Sequence, residues 1–279
     1  AGSGLTILLH ENWNLISLNI TPGEEYFGEG DDRGPDVELM MEQLQIDEEN
    51  HHVLLMKNED GRFYTPAFGF NNIPFWDLTR GFQVKVDEDV EAVWSGLPIR
   101  EDTEVWLNEG WNIVAYFPNY QLDAESPDYY VLSPVIDVLE MAKNNDGLFL
   151  APRFHFSNMP PWRETQGYWV KAIEEVRFSY PPEQEEDHLA SLTNNHWAGV
   201  HQTNNNMSIL VNGCDYSQII AISSDGSMVG KGIVDHDGRC GLAVWGDDES
   251  TYEIDGLAEG ESFELRYWDT SEVIHEVQY

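Results

Sequence analysis

Short stretches in which apolar and polar residues alternate recur along the chain, and this period of two predicts β-strands. In the first stretch Trp13 and Leu15 face one side, while Asn14 and Ile16 face the other. The same alternation returns from Trp111 to Phe117. We therefore predict a mainly β chain.

Two short helices are predicted between these strands. Apolar residues follow helical spacing behind Pro35-Asp36 and behind Ser133-Pro134, where proline suits the first helical turn. The second apolar stripe consists of Val135, Ile136, Val138, Leu139 and Met141. Each helix leads to a predicted strand, Val53–Met56 in the first case and the weaker Leu148–Leu150 in the second.

An internal repeat organises the first two thirds of the chain. Residues 63–85 align with residues 149–171 at a constant offset of 86, with 11 identities in 23 positions. Residues 11–16 align with 109–114 at an offset of 98, so the first copy holds 98 − 86 = 12 extra residues. We assign the extra residues to an acidic loop over Gly23–Pro35. The sequence thus predicts two tandem β-rich repeats, residues 1–100 and 101–182.

A third module follows a linker. Two prolines and a run of acidic residues at Pro181–His188 break the repeat pattern, and we place the linker at residues 183–192. Beyond it, six short strands are predicted at 207–211, 218–223, 228–234, 241–245, 262–268 and 273–277. Turn signals such as Asp225-Gly226 separate them, which is typical of an antiparallel β-sandwich over residues 193–279.

Three motifs of the first repeat carry a family resemblance. They are the opening Asn12–Ser17, the turn Lys57–Gly61 followed by Tyr64-Thr65-Pro66, and the closing Gly81–Lys85. With these motifs the repeats resemble tandem GWNLIS-type modules of secreted and cell-surface proteins from marine and Bacteroidetes-like bacteria. The second copy departs from the pattern at Ala115 and Leu150, in place of Ser17 and Tyr64.

The last third resembles an AVWGDD-type β-sandwich module that often occurs in the same kind of protein. The matching segments are Ile220–Gly226 with Val229-Gly230, Ala243–Asp248 and Asp255–Glu261, although Ile222 replaces the family's phenylalanine. Together the resemblances span nearly the whole chain. They imply an extracellular, modular, non-catalytic protein, secreted or attached to a cell surface, and they imply no named ligand.

Charge excludes several classes of partner. The chain has 51 Asp and Glu against 14 Lys and Arg, a formal charge of −37, with 41% apolar residues to form its cores. Phosphate backbones and anionic lipids would be repelled, so we expect no nucleic acid partner. No apolar run approaches the roughly 20 residues of a membrane helix, so we expect no membrane insertion either.

Motifs for catalysis do not occur. The chain lacks a G-x-S-x-G elbow, a G-x-x-x-x-G-K-[ST] phosphate loop and an H-E-x-x-H helix. Paired carboxylates could serve a hydrolase, but 51 acidic residues give no basis for choosing a pair. We predict that the chain is not an enzyme and retain a hydrolase as a third alternative.

Calcium is the cofactor that the acidic turns would suit, and no other cofactor is predicted. Hard cations bind several carboxylate and carbonyl oxygens on glycine-bearing loops. Asp235, Asp237, Asp247 and Asp248 are the candidate ligands, and Glu29–Asp32 has the same character. None of these loops has the spacing of an EF-hand, so a solvated acidic turn is the alternative for each.

The two cysteines, Cys214 and Cys240, lie 26 residues apart, outside any CxxC motif and without spaced histidines. In an exported protein they would form one disulfide, and in a cytosolic chain two free thiols. Given the extracellular resemblance, we predict the disulfide.

Aromatic residues supply the candidate ligand surface. The chain has ten tryptophans, of which Trp76 and Trp162 recur at matching repeat positions in proline-rich loops. Trp76, Trp162 and Trp169 are the candidates for stacking on sugar rings, and core packing is the alternative for the recurring pair.

The leading functional hypothesis is a structural or adhesive module of a large surface protein or filament, with neighbouring domains, other copies or surface glycans as partners. Copies could assemble if the Leu5–Leu9 strand joined a neighbour's sheet edge, and monomeric behaviour in solution together with a first strand paired within its own repeat would rule this out. The alternative is a carbohydrate-binding module of a secreted polysaccharide-degrading system.

Overall fold

The computed structural model describes residues 2–28, 33–184, 199–268 and 273–278. The chain divides into two compact units. The first comprises Ala1–Asn145 and Leu150–Ser191, and the second comprises Asp146–Phe149 and Leu192–Tyr279. Both repeats lie mainly in the first unit, and the six C-terminal strands lie in the second.

The described residues of the first repeat form eight strands and one α-helix. They are β1 (Ser3–Leu9), β2 (Asn12–Ile16), β3 (Ile20–Pro22), α1 (Val37–Met41), β4 (Val53–Lys57), β5 (Phe63–Thr65), β6 (Phe70–Asn71), β7 (Phe82–Val86) and β8 (Val90–Pro98), with 3₁₀ turns at Glu24–Tyr26, Glu42–Leu44 and Pro66–Phe68. Strands β2-β7-β4-β5-β6 form one sheet in that order, and β1-β8-β3 form another. The strands pair antiparallel.

The first predicted helix is confirmed. Asp36 lies at the N-cap of α1, where its carboxylate accepts hydrogen bonds from the backbone N–H groups of Glu38 and Leu39. Met40 and Met41 are buried, as the apolar stripe requires. The helix therefore covers the core of the first repeat with its apolar side.

The second repeat reproduces this order. Its elements are β9 (Val105–Leu107), β10 (Gly110–Ala115), a 3₁₀ helix (Tyr130–Val138), β11 (Leu139–Lys143), β12 (Phe149–Ala151), a 3₁₀ turn (Pro152–Phe154), β13 (Phe156–Ser157), β14 (Gly167–Ala172) and β15 (Val176–Phe178). The sheet order β10-β14-β11-β12-β13 is that of β2-β7-β4-β5-β6 at the repeat offsets, and β9 with β15 corresponds to β1 with β8. The internal duplication is thus a duplication of fold.

The second predicted helix is partly wrong. Tyr130–Val138 form a 3₁₀ helix with Pro134 inside it, but Leu139 and Met141 belong to strand β11. Leu139 lies four positions after Val135 and Met141 lies three after Val138, which fits a helix, but Leu139 and Met141 also lie two positions apart, which fits a strand, so the apolar pattern did not separate the two. Consequently β11 is the counterpart of β4, and the predicted Leu148–Leu150 strand corresponds to β5 instead.

The two repeats form one body through reciprocal contacts. Ile16 forms an isolated antiparallel bridge with Gln166, and Val114 forms another with Arg80. Because Ile16 aligns with Val114, and Arg80 with Gln166, each bridge is the counterpart of the other. The repeats are therefore related by an approximate two-fold axis.

Backbone hydrogen bonds repeat the same symmetry. The Ser17 N–H donates to the Thr165 carbonyl at 3.0 Å, and the Ala115 N–H donates to the Thr79 carbonyl at 3.2 Å. Ser17 adds a bond that its counterpart Ala115 cannot make, because its hydroxyl donates to the Gln166 carbonyl at 2.6 Å. We call this contact between the repeats the seam. Its backbone hydrogen bonds are symmetric, whereas its side-chain hydrogen bonds are not.

The second unit is a single antiparallel sheet. Its strands are β16 (Asn206–Asn212), β17 (Gln218–Ser223), β18 (Met228–Ile233), β19 (Arg239–Trp245), β20 (Ser262–Tyr267) and β21 (Val273–Gln278), hydrogen-bonded in the order β16-β19-β18-β17-β20-β21. All six predicted strands are confirmed. Their inward side chains, including Ile219, Leu242 and Phe263, form one apolar cluster. The predicted fold class, mainly β with short helices, is confirmed for the described residues, and the six strands predicted as a sandwich pair into one sheet.

The structure meets one of the two conditions that would rule out addition of the first strand to a neighbour's sheet, because this strand pairs within its own repeat. Strand β1 pairs along its whole length with β8 of its own repeat, from Ser3 opposite Gly96 to Leu9 opposite Val90. Leu5, Ile7 and Leu9 are buried in the core of that repeat, although β1 lies at the edge of its sheet.

Candidate binding surface

The predicted ligand-binding tryptophans separate into two groups. Trp76 and Trp162 are fully buried: Trp76 packs against Phe82, and Trp162 stacks on Tyr168 with ring centroids 3.8 Å apart. A buried ring offers no face to an external ligand, so the structure corrects the prediction for both and places them in the repeat cores. Trp169, by contrast, is partly exposed on β14.

One sheet face of the first repeat carries a tryptophan close to two lysines. Trp13 on β2 lies opposite Lys85 on β7, and Leu55 of β4 lies opposite Lys85 from the other side. Lys57, two residues further along β4, therefore points to the same face. The Nζ atoms of Lys57 and Lys85 lie 5.1 and 5.7 Å from the Trp13 ring centroid, within cation–π range. We call Trp13, Lys57 and Lys85 the first Trp–Lys cluster.

The second repeat has the same cluster with one more ring. The Nζ atoms of Lys143 and Lys171 lie 5.0 and 5.8 Å from the Trp111 ring centroid. Trp169 contacts Trp111 edge to face, with centroids 6.0 Å apart. Trp169 aligns with Gln83 of the first repeat, so the extra ring is specific to the second. Trp111, Trp169, Lys143 and Lys171 form the second Trp–Lys cluster.

The two clusters differ in exposure. Trp13 and Lys85 are buried, at 6% and 8% of their accessible surface. Trp111 keeps 39% exposed, and the Lys171 side chain keeps 33%. The first cluster is therefore a closed structural contact, whereas the second presents an aromatic ring and an ammonium group to solvent.

The two ammonium groups of the second cluster have different surroundings. The Lys171 ammonium pairs with the Glu140 carboxylate at 3.0 Å, and both side chains are solvent-accessible. Burial lowers the pKa of Lys143 to about 8. Lys171 is thus an exposed, ion-paired ammonium, whereas burial disfavours the charged form of Lys143.

Every lysine of the chain lies over a tryptophan. The sequence has five lysines, of which four form the two Trp–Lys clusters. The fifth, Lys231, has its Nζ 4.8 Å from the ring centroid of Trp268, which is 49% exposed. In a chain of charge −37, ammonium groups are thus concentrated at tryptophan faces.

A half-buried carboxylate joins the two repeats. Glu59 accepts a hydrogen bond from the Ile113 N–H at 2.6 Å and pairs with Arg80 at 3.5 Å. Arg80 also donates to the Asn112 side chain at 3.2 Å. Burial raises the pKa of Glu59, while the charge of Arg80 and the Ile113 bond oppose the rise. Glu59 and Arg80 thus form a polar cluster that connects the two repeats.

The predicted calcium ligands Asp235 and Asp237 form salt bridges with an arginine. The Arg239 guanidinium pairs with both carboxylates at 3.1 Å, and Asp235 also accepts the Asp237 and Arg239 N–H groups. A guanidinium at this position takes the place that a cation would occupy, so the structure shows a closed acidic turn.

Asp247 and Asp248 close a second turn. Asp247 accepts the Asp255 N–H, and the Asp255 carboxylate accepts the Asp248 N–H, both at 2.9 Å. The buried Asp248 carboxylate accepts from the backbone and hydroxyl of Ser250. Among the described residues no group of three metal-ligating side chains is assembled. The candidate loop Glu29–Asp32 lies outside the described residues.

The predicted disulfide is not formed. Cys214 and Cys240 are free thiols: Cys240 is buried in β19, and the Cys214 thiol faces the Val211 carbonyl at 3.8 Å. Burial, followed by the neighbouring Cys214, raises the pKa of Cys240 to about 12. Both residues belong to the apolar cluster of the second unit, where a thiol packs as a small hydrophobic group.

Sequence reasoning missed the four cluster lysines and Glu59. The repeat alignment contains the signal for the lysines: Lys85 aligns with Lys171, and Lys57 aligns with Lys143, just as Trp13 aligns with Trp111. No comparable signal exists for Glu59, because its counterpart is Asn145, whose side chain instead donates to the Trp13 carbonyl.

Comparisons with known proteins add no family to this picture. In the described part of the chain, no helix has the length and apolar character needed to cross a membrane. No family model, no curated protein and no solved structure matches the chain.

Proposed function

We propose that this chain is a non-enzymatic structural or adhesive module of a large extracellular surface protein or filament. Its partners in this role are neighbouring domains, other copies or surface glycans, and its location is secreted or at the cell surface.

The observation that supports this proposal is the reciprocal seam between the repeats. The repeats are joined by two backbone bridges and by paired backbone hydrogen bonds. Glu59, which pairs with Arg80, adds a hydrogen bond from the Ile113 N–H across the same contact. Without these contacts the two repeats could move separately. A fused, two-fold pair is stiffer than two domains on a linker, and stiffness suits a part that spaces or holds others. The acidic exterior suits a body that must stay dispersed.

Single-molecule stretching of the full chain between its ends tests the proposal. We expect the first unit to unfold in one step that releases both repeats, and the second unit to unfold in another step. Ser17→Ala removes the hydroxyl that bonds Gln166 and accepts the Tyr116 N–H, so it should lower the force of the repeat step. Ser208→Ala, on β16 of the second unit, is the matched control and should leave that step unchanged.

Three separate steps, with the repeats unfolding one after the other at low force, would contradict a fused force-bearing body. So would an unfolding force for the repeat step that does not respond to Ser17→Ala.

The exposed second Trp–Lys cluster favours one other candidate, a carbohydrate-binding module of a secreted polysaccharide-degrading system. Exposed tryptophan faces stack on sugar rings. Two measurements together separate the functions: retention of the chain on degradable polysaccharides at micromolar concentration, combined with separate low-force unfolding of the two repeats, would favour this alternative over the structural role.

A further inference from the structure

Both repeats carry an exposed phenylalanine on the same 3₁₀ turn. Phe68 ends the turn Pro66–Phe68 and is 85% exposed. Its counterpart Phe154 ends the turn Pro152–Phe154 and is 59% exposed. We call these turns the first and second aromatic turns. An exposed ring gains nothing from burial in the fold, so folding does not explain why both repeats have one at the same position.

Each aromatic turn is held in a fixed backbone conformation. A proline opens the turn, and the residue that follows the phenylalanine is left-handed, with φ of 54° at Gly69 and 50° at His155. Histidine rarely adopts this conformation, and here its carbonyl accepts a hydrogen bond from the Ser126 hydroxyl at 3.0 Å. The second repeat therefore keeps the turn without the glycine. A ring on a fixed turn loses little conformational entropy when it binds a partner.

The segments around the two aromatic turns contain no acidic residue. Nearly one residue in five of the chain is Asp or Glu, yet residues 63–76 and 149–162 have none. Two copies with a charge of −37 repel each other, so contact between them is least opposed through segments of this kind. A nucleic acid is negative along its whole backbone, whereas a second copy has acid-free segments of its own. This distribution favours a second copy as the partner.

The two aromatic turns differ in the residue beside the ring. Next to Phe68 stands Ala67, which has no charge and covers little of the ring. Next to Phe154 stands Arg153, whose exposed guanidinium carbon is 5.9 Å from the Phe154 ring centroid, at the outer limit of the cation–π range. No carboxylate pairs with Arg153 in the described part of the chain. The first turn thus offers an open ring, and the second offers a loosely held cation.

An open ring and a guanidinium group are complementary surfaces. Within this chain, Arg177 stacks on Trp106 with its guanidinium carbon 3.9 Å from the ring centroid. Such a contact becomes stronger when both groups lose their water. We propose that two copies of the chain bind through their aromatic turns, with Arg153 of one copy stacked on Phe68 of the other.

This contact joins unlike surfaces, so one contact does not use up the binding capacity of either copy. Each copy has one first and one second aromatic turn, and a pair of copies still has one of each unoccupied. Heterologous contacts of this kind continue into a filament unless the rotation between copies closes a ring. The inference deepens the proposed structural role, on which it rests, by naming the contact between copies.

Sedimentation velocity of the full chain tests the contact. We expect the average sedimentation coefficient to rise with protein concentration, and to rise more steeply at about 1 M NaCl than at about 0.15 M, because salt screens the repulsion between copies. Phe68→Ala and Arg153→Gln should each weaken association about tenfold. Leu97→Ala and Arg100→Gln are the matched controls: each removes an exposed apolar or guanidinium group outside the aromatic turns and should leave association unchanged.

A mixture of the two turn variants tests which surfaces meet. Phe68→Ala keeps an intact second aromatic turn, and Arg153→Gln keeps an intact first one, so one chain of each kind can form a single native contact. We expect complexes of two chains and none larger in the mixture, at concentrations where each variant alone is monomeric. Both substitutions alter exposed side chains, so we expect both variants to fold.

A native chain that stays monomeric at both salt concentrations would overturn the proposal. Controls that weaken association as much as the turn variants would also overturn it, as would a mixture that behaves like its separate components. Association that weakens as NaCl rises would replace it with a contact between acidic and basic groups. If the chain stays monomeric while the repeats still unfold in one step under force, this contact fails and the structural role stands.

Discussion

Trp76 and Trp94 occupy the same core but differ in how their indole groups are satisfied. Both are fully buried, and their ring centroids are 5.8 Å apart. The Trp94 N–H donates to the Met40 carbonyl at 3.0 Å, whereas the Trp76 N–H has no hydrogen-bond partner among the described residues. Trp162, the counterpart of Trp76, shares this feature. The two repeats thus contain the same uncompensated donor.

This difference predicts that replacing each tryptophan with phenylalanine lowers the free energy of unfolding by a different amount. Trp94→Phe and Trp76→Phe remove similar volume, but the first also breaks a hydrogen bond, while the second removes a donor that is already unsatisfied. We expect Trp94→Phe to lower the free energy of unfolding by about 1 kcal/mol more than Trp76→Phe, as measured by urea denaturation. Equal losses would show that the Trp76 N–H is bonded in solution, for example to a buried water.

The sequence identified the important tryptophans but not their roles. Repetition at equal offsets marked Trp76 and Trp162 as significant, yet a proline-rich loop can place a ring inside or outside the fold. The direction of these rings depends on the packing of the helix and both sheets around them, which no local pattern encodes. Trp169 differs because its strand alternates, and alternation does predict a side.

Helices and strands could be predicted where the spacing of apolar residues fits only one of the two structures. The six strands of the second unit, each bounded by a turn signal, were all predicted within two residues of their observed ends. Strand β11 was not, because Leu139 and Met141 fit both periods and its partner β14 lies far along the chain. The inter-repeat seam could not be predicted, since it depends on two glycines whose role is visible only in three dimensions.

These glycines predict a second measurable effect. A Cβ atom on Gly81 would lie 2.6 Å from Ile113 Cγ2 and 3.1 Å from the Ile16 carbonyl oxygen, and one on Gly167 would lie 2.9 Å from the same oxygen. Gly81→Ala or Gly167→Ala should therefore push the repeats apart and cost about 1–3 kcal/mol of unfolding free energy. Gly4→Ala is the control, because no atom lies within 4 Å of its added Cβ. A loss in the control as large as in the seam variants would contradict this assignment.

The polar cluster of Glu59 and Arg80 predicts that the stability of the protein depends on pH. Burial raises the pKa of Glu59 above its unfolded value of about 4.3, so the folded state holds this proton more tightly than the unfolded state. Its contribution to stability is then greatest below the unfolded pKa and declines as pH rises through the folded pKa. Glu59→Gln removes this decline while keeping an acceptor for the Ile113 N–H.

Thermal unfolding of both proteins between pH 4 and pH 7 provides the measurement. Relative to the native chain, Glu59→Gln should gain stability as pH rises. The control is Asp60→Asn, which removes the same charge from an exposed neighbouring position and should show no such trend. A gain of equal size in Asp60→Asn would assign the effect to net charge instead of to the seam.

In the whole molecule, the charge of −37 means that folding brings many acidic residues close enough to repel one another. Individual acidic turns are locally neutralised, as Arg239 does for Asp235 and Asp237. With 14 basic residues for 51 acidic ones, however, most carboxylates have no opposite charge to pair with. Their mutual repulsion is stronger in the compact state than in the unfolded chain, so it opposes folding.

Salt should therefore stabilise the protein strongly. The screening length falls from about 30 Å at 0.01 M to about 3 Å at 1 M, which removes repulsion between turns while leaving the apolar cores intact. We expect the melting temperature to rise continuously with NaCl, by roughly 2–4 °C for each kcal/mol of relieved repulsion. Calcium and magnesium chloride at equal ionic strength should raise it equally, because no three-ligand group exists among the described residues. A larger rise with calcium would reveal a specific site, for which the Glu29–Asp32 loop would be the first place to mutate, and a melting temperature insensitive to NaCl would refute the repulsion argument itself.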